Sequence, residues 1–432
     1  MKLSKKHLII SMITLGITQS SYAFDGDDGD YYVAPWGNDN SNGSIYSPFA
    51  TLDKAQSKAS PGDLIYLRGG TYWFNDNNDA DGIGVLFNKS GTQNSPIKYY
   101  AYPGEKPVFD FSNFTPYQRI RGFSVRADWL HFKGIEIKKV QQVITNVNES
   151  WGIRIENGAD HNIFENLNLH HNEGPGLFIA DGGHNLVLNV DSHHNYDPDR
   201  GGENADGFGC HSNDTGNVFR YSRAWANSDD GFDFIRAKGV CVVEYSIAFN
   251  NGFIPDTTTG AGNGTGIKAG GWGLDTSTFP ENVARHMVRF NISFGNRING
   301  FYANHHPGGL DFINNTAFNN PYNFNMLADV GSANHYLRNN VAFGSGTALG
   351  KATTSEINSA YNSWDLSVQA DSQDFQSVAT SLASANRDSN GNLPNNDFLR
   401  LVSNSDLIDA GQNVGYSYQG SAPDLGAYEY QD

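Results

Sequence analysis

The chain has 432 residues, a formal net charge of −17 and 48 glycines, but only two cysteines. That much negative charge argues against nucleic acid or an anionic membrane surface as a partner, and two cysteines exclude a disulfide-built scaffold. A polyanionic ligand is disfavoured as well, unless a metal ion or a local basic patch reverses the sign.

In chain order, residues 1–23 read as a secretory leader. Lys2, Lys5 and Lys6 form a basic start, Leu8 to Thr18 an apolar run, and Ser21-Tyr22-Ala23 a small-residue cleavage site. The run is too short to span a membrane. The expectation is an exported protein, secreted or periplasmic, with no membrane partner and a monomeric state. Residues 24–432 read as one domain. Within 24–120, Phe49 to Ala59 has helical spacing, with Ser47 or Thr51 as cap. A short amphipathic helix there covers the open end of a solenoid. Leu64-Ile65-Tyr66-Leu67 reads as a strand, and Asn75–Gly84, rich in Asp and Asn, as a loop.

The stretch 121–350 repeats itself. Six segments begin with glycine at Gly152, Gly176, Gly207, Gly231, Gly266 and Gly300, at intervals of 24, 31, 24, 35 and 34 residues. A short coil with one such strand per turn predicts a parallel β-helix. A second mark follows: Asn172, Asn195, Asn227, Asn250, Asn296 and Asn319 each close a similar segment. Stacked asparagines at one corner of every coil can bond to one another as a ladder. The pairs His170-His171 and His193-His194 share columns with Trp225, Phe249 and Phe294 and read as stacked turn residues. Insertions break the period at 195–207, 250–266 and 268–296. They flank the strands carrying Asp206 and Lys268, as the walls of a binding cleft would. Past 350 the period fades into irregular coils. Asp388–Asn392 reads as a loop, since its glycine is misplaced for an EF-hand, and Asp424–Tyr430 as a closing strand. Cys210 and Cys241 fit a disulfide and two separate buried thiols equally well.

Alternation assigns the faces. Ile153, Ile155, Leu177, Ile179, Phe208, Cys210, Phe232, Phe234, Ile267 and Ala269 point inward. Arg154, Phe178, Gly209, Asp233, Lys268 and Tyr302 point outward. Stacking then makes Asp233 and Lys268 neighbours, and sets Asp206 beside Asp230, with Asp229 in the same turn. Four carboxylates this close repel and demand raised pKa values or a cation. Oxygen-only ligands suit Ca²⁺ better than zinc or copper. A cation beside Lys268 lowers its pKa and makes it a candidate general base. A cation plus a lysine base beside a long groove is the equipment for β-elimination on a polyuronate.

Asn204-Ala205-Asp206-Gly207-Phe208, Ser228-Asp229-Asp230-Gly231-Phe232-Asp233 and Gly266-Ile267-Lys268-Ala269-Gly270-Gly271 resemble the pectate lyases of polysaccharide lyase family nine. The resemblance covers most of the mature chain. It implies a right-handed parallel β-helix, Ca²⁺ held by Asp206, Asp229, Asp230 and Asp233, Lys268 as the base, and polygalacturonate as substrate. Arg236 is a candidate for a substrate carboxylate, ahead of Lys238 and Arg297. The alternatives are an alginate or glycosaminoglycan lyase, a polygalacturonase-type hydrolase and a non-catalytic carbohydrate-binding solenoid. The hydrolase is disfavoured because the Gly-His-Gly and Arg-Ile-Lys segments of such enzymes are missing; Arg297-Ile298-Asn299 is the nearest match.

Overall fold

A computed structural model describes residues 29–75, 81–143, 150–327, 334–353 and 355–431. The leader read at 1–23 and residues 76–80 of the Asn75–Gly84 loop lie outside those residues. Gly84 itself is in the strand Ile83–Phe87.

Three parallel sheets of twelve, ten and ten strands wrap one core. The first sheet runs from Tyr31–Val33 to Ile357–Ala360, the second from Gly70–Asn75 to Val341–Phe343, and the third from Ile83–Phe87 to Thr347–Gly350. Each strand pairs in parallel with the one a coil away, so the architecture is the expected parallel β-helix. The helix at the open end is Leu52–Lys58, and Thr51 is its cap, with the hydroxyl accepting from Lys54 N at 3.1 Å.

The third sheet carries the outward column read from the sequence. Arg154 pairs with Phe178, Phe178 with Gly209, Gly209 with Asp233, Asp233 with Lys268 and Lys268 with Tyr302. The inward residues between them are fully or almost fully buried, and they stack like on like: Phe208 on Phe232 at 4.9 Å, Phe301 on Phe324 at 4.8 Å. The marker glycines are there because coils touch. A Cβ on Gly231 would come 2.5 Å from the carbonyl oxygen of Gly266, and one on Gly207 2.6 Å from that of Gly231.

The asparagine ladder exists, with one correction. It runs Asn172, Asn195, Asn227, Asn251, Asn296, Asn320. Asn250 and Asn319, expected in it, precede the ladder residue and adopt φ of 53° and 54°. They occupy the left-handed position that His171, His194 and Ala226 fill in other coils, a conformation that asparagine tolerates well. Where two asparagines adjoin, the buried second one joins the ladder. A further column, Asn291, Asn315, Asn340 and Asn362, follows the same logic at another corner.

Cys210 and Cys241 form a disulfide. It joins a strand of the third sheet to one of the first, through the core. Closing a loop of 31 residues is worth roughly 3–4 kcal/mol in the chain-entropy account.

After Ile357–Ala360 the chain does not continue coiling. Residues 361–431 fold back along the outer face of the second sheet. Phe375, Phe398, Leu407 and Leu425 cover the aromatic column of Phe249, Phe294, Phe318 and Phe343. Arg387 reaches back to Asp191 at 2.7 Å. Asp424–Tyr430, expected as a closing strand, has no strand pairing. Gly426, at φ 94°, bends the backbone while Leu425 and Ala427 bury their side chains.

Asn227 accepts from both the backbone N–H and the amide of Asn195. Asn227→Ala leaves two buried donors unpaired, each costing about 1–3 kcal/mol. Urea unfolding should show a loss of about 2–6 kcal/mol; a change below about 0.5 kcal/mol would mean the ladder does not hold the coils.

Candidate active site

Asp206, Asp229, Asp233 and Lys268 line a cleft of about 490 Å³ on the third sheet, and Asp230 is fully buried next to them. Asp233 ends the short strand Phe232–Asp233, and Lys268 ends its neighbour Thr265–Lys268. Lys268 Nζ donates to Asp230 Oδ2 at 3.0 Å and to Asp233 Oδ2 at 2.9 Å. One oxygen of each of these three aspartates is tied to the backbone. Asp230 Oδ1 accepts from Thr265 N, Asp206 Oδ1 from Asp230 N, and Asp233 Oδ1 from Ile235 N. Asp206, Asp230 and Asp233 offer oxygens within 4.8 Å of one another, all buried.

Asp229 plays a different part. One of its oxygens accepts from Asn204 N at 2.7 Å, the other from Asn263 N at 2.5 Å. These amides belong to the first two insertions, so one carboxylate anchors both walls of the cleft. The third insertion, within 268–296, contributes no lining residue beyond Lys268 itself.

Burial and crowding set the charge states. Asp206 is pushed well above the carboxylate range, first by burial and then by Asp229, Asp233 and Asp230. Asp230 is pushed up to about 7, again mainly by burial, with Lys268 opposing. Burial pulls Lys268 down, but the carboxylates of Asp230, Asp233, Asp229 and Asp206 together outweigh it and hold the ammonium charged. Against protein groups alone this is opposite to the lowered pKa expected of a base. The low value requires a cation that neutralises the same carboxylates.

The donor set fits such an ion. Three buried carboxylates converge, the ligand atoms are all oxygen, and their mutual repulsion is what a divalent cation relieves.

Arg236, expected to meet a substrate carboxylate, is exposed at the turn after the Asp233 strand and does not line the cleft. Lys238 is likewise outside the lining, and Arg297 is turned to Gly262 O. Lys351, which follows the strand Thr347–Gly350 three coils past Lys268, supplies a cation in the lining instead. His211, Tyr302, Glu203 and Asn263 also line it. Alternation from Gly209 places His211 outward, a signal available in the sequence. His211 packs edge-on against Phe178 at 4.6 Å, and burial drives its pKa down to about 4, so it is neutral at pH 7.

Comparison with known proteins agrees with this geometry. Residues 31–346 match the family described as Pel9A-like, right handed beta helix region. Pectate lyase L of Dickeya chrysanthemi is 40% identical over 408 residues, 92% of this chain and 90% of that protein. The crystal structure of pectate lyase Pel9A aligns at TM-score 0.80 and 39% identity, covering 93% of this chain and 96% of that one. A rhamnogalacturonan lyase aligns at TM-score 0.80 and 35% identity, over 86% and 96%.

A cation must displace protons from carboxylates whose pKa values are raised. Its affinity therefore rises with pH through about 7, as these groups ionise. Calorimetric titration with a divalent cation should show tighter binding at pH 8 than at pH 6, proton release at pH 6, and no binding to Asp206→Asn. An affinity that does not change between these pH values would place the ion elsewhere.

Proposed function

This chain belongs to the Pel9A-like right-handed β-helix family and is a polysaccharide lyase, and we propose that it cleaves α-1,4-linked polygalacturonate by β-elimination, with Ca²⁺ as cofactor and Lys268 as base. The observation that carries the reading is the placement of one lysine against a buried, oxygen-only carboxylate cluster on the floor of an open cleft. The pectate specificity of its relatives supports the choice of polymer.

Asp206, Asp230 and Asp233 would hold the ion, with Asp229 as fourth ligand through the lone pairs its backbone donors leave free. When bound, Ca²⁺ supplies the positive charge that binds a uronate carboxylate and makes the adjacent C5 proton more acidic. Lys268 needs a free amine to take that proton. Once its carboxylate neighbours are neutralised, the burial that lowers a lysine pKa is no longer overridden. The Lys268 amine then removes the C5 proton, and the C4–O bond breaks to leave a 4,5-unsaturated end. His211, neutral and lining the cleft, is placed to meet a sugar hydroxyl. Lys351 offers a cation to a neighbouring uronate.

The proposed location is outside the cytoplasm. The leader-like residues 1–23 and the Cys210–Cys241 disulfide both support it. A second substrate, rhamnogalacturonan, is raised by the equal structural similarity to a lyase of that name.

Ultraviolet absorbance should rise when the enzyme meets polygalacturonate with Ca²⁺, stay flat with chelator, and rise less on rhamnogalacturonan. The reverse order on the two polymers would reassign the substrate. New reducing ends without absorbance would mean hydrolysis. Lys268→Ala should lose about 10²–10⁴-fold in kcat, the range for a general base. Lys268→Arg, charged at every working pH, should remove the rising limb of the pH profile; an unchanged profile would exclude Lys268 as the base.

A further inference from the structure

The cleft runs along the axis of the coils. Its lining takes the outward residue of successive rungs, Phe178, Asp233, Lys268, Tyr302 and Asn325, with Gly209 between the first two. One rung before Phe178 the same column carries Arg154. A polymer laid along this floor and extended past Phe178 meets that side chain next.

Arg154 belongs to a cluster around one carboxylate. Glu156 Oε1 lies 2.9 Å from Arg126 Nη2 and 3.3 Å from Arg121 Nε. Its Oε2 accepts from Arg154 Nε at 2.8 Å, and Ser124 Oγ donates to Oε1 at 2.7 Å. Three guanidiniums share a single negative charge, so the group is positive. Among the described residues Arg121 and Arg126 have no other carboxylate partner. Neutralising Glu156 takes one arginine; the others repel one another until a further anion joins them. The three arginine side chains keep 20–29% of their surface exposed, against 11% for Glu156. The cations therefore face solvent and the anion lies beneath them.

The cluster is also held in place. Arg154 Cζ sits 4.0 Å from the ring centre of Trp151 and 5.4 Å from that of Phe178, and Arg121 Cζ sits 5.6 Å from Trp151. Both rings are buried. A guanidinium stacked on a ring and bonded through Nε loses little freedom when an anion binds. The column between this cluster and Asp233 holds only Phe178 and Gly209, so no charge on it opposes an anionic chain.

We infer that Arg121, Arg126 and Arg154 form a distal subsite for a uronate carboxylate, four coils or roughly 19 Å from Lys268 along the cleft. The inference rests on the polygalacturonate reading. Such a polymer repeats its carboxylate at every sugar, so a chain with one carboxylate at the acidic cluster has others to offer along the column. Guanidinium groups match carboxylates in shape as well as charge. The subsite is a local basic patch, and it gives an acidic protein a hold on an acidic polymer that does not depend on the metal. Two linked holds make affinity rise with chain length.

The test compares kcat/KM of the full mature chain, in saturating Ca²⁺, on an octamer and a trimer of galacturonate. A trimer seated at Lys268 is too short to reach the arginines, and an octamer is not. Wild type should prefer the octamer. In Arg126→Gln and in Arg121→Gln the octamer-to-trimer ratio should fall about tenfold, the worth of a charge-assisted hydrogen bond, with the loss in KM. Glu156→Gln, which removes the shared negative charge, should raise the ratio. Octamer binding to Lys268→Ala protein should weaken by a similar factor when Arg126→Gln is added. An unchanged ratio in both arginine variants would overturn the subsite, and so would a ratio that falls in Glu156→Gln as it does in them, the mark of a cluster that serves only the fold. Wild type that cleaves both oligomers while the variants match it removes the subsite alone; wild type that cleaves neither removes the polygalacturonate reading and the subsite with it.

Discussion

Everything in this molecule depends on the spacing between coils. Parallel backbone hydrogen bonds hold successive turns at about 4.8 Å, so whatever stands at one position of a coil stands directly over its counterpart. For phenylalanine and asparagine the repetition stabilises. Rings stack in the core and on the outer face of the second sheet, and each ladder amide satisfies the next. For aspartate the same repetition is a conflict. Asp206 and Asp230 are brought together, with Asp233 close by, in a buried place where charge is poorly solvated. The fold accepts the conflict in one region, and the proposed chemistry is located there.

The conflict has two resolutions. Lys268 can lie between Asp230 and Asp233 as an ammonium, or a divalent ion can neutralise the carboxylates. Both draw on the same oxygens, so on the proposed reading the protonation of the base is coupled to the occupancy of the cluster. This makes the cofactor more than a handle on the substrate. A lysine that titrated low without it would be a weaker partner for the carboxylates, and their mutual repulsion would then fall on the folded state. On that reading the charged form holds the cluster together, and the neutral form does the chemistry.

The legible part of this arrangement is the part governed by period. Strand alternation and the glycine marks are local, and they were sufficient to align Asp233 with Lys268 and to separate the inward from the outward residues. The illegible parts involve choices that period cannot make. Asn250-Asn251 and Asn319-Asn320 present two identical residues, and only the left-handed turn decides which one is buried. Cys210 and Cys241 lie in different sheets, so their meeting depends on the width of the core. Asp229 has the same composition signal as Asp230, yet its neighbours turn its oxygens toward two loops. The C-terminal segment shows apolar residues at 425 and 427, as a strand would, but it packs as a cover. Arg236 is close in sequence to the cluster and is not among the residues lining the cleft, whereas Lys351 is remote in sequence and lines it.

The anchoring of the cleft walls by Asp229 bears on how such a site can diversify. Two contacts are to main-chain N–H groups, at Asn204 and Asn263, and the Asn263 side-chain amide adds a third at 3.1 Å. A backbone donor is the same for almost any residue, proline excepted. Apart from that of Asn263, the side chains of these walls can therefore be exchanged without loosening the attachment, as long as each loop returns an amide to the same carboxylate. The scaffold separates the grip on the polymer's shape from the machinery that breaks it. New sugar preferences can be tried on the loops while the reacting centre stays in register.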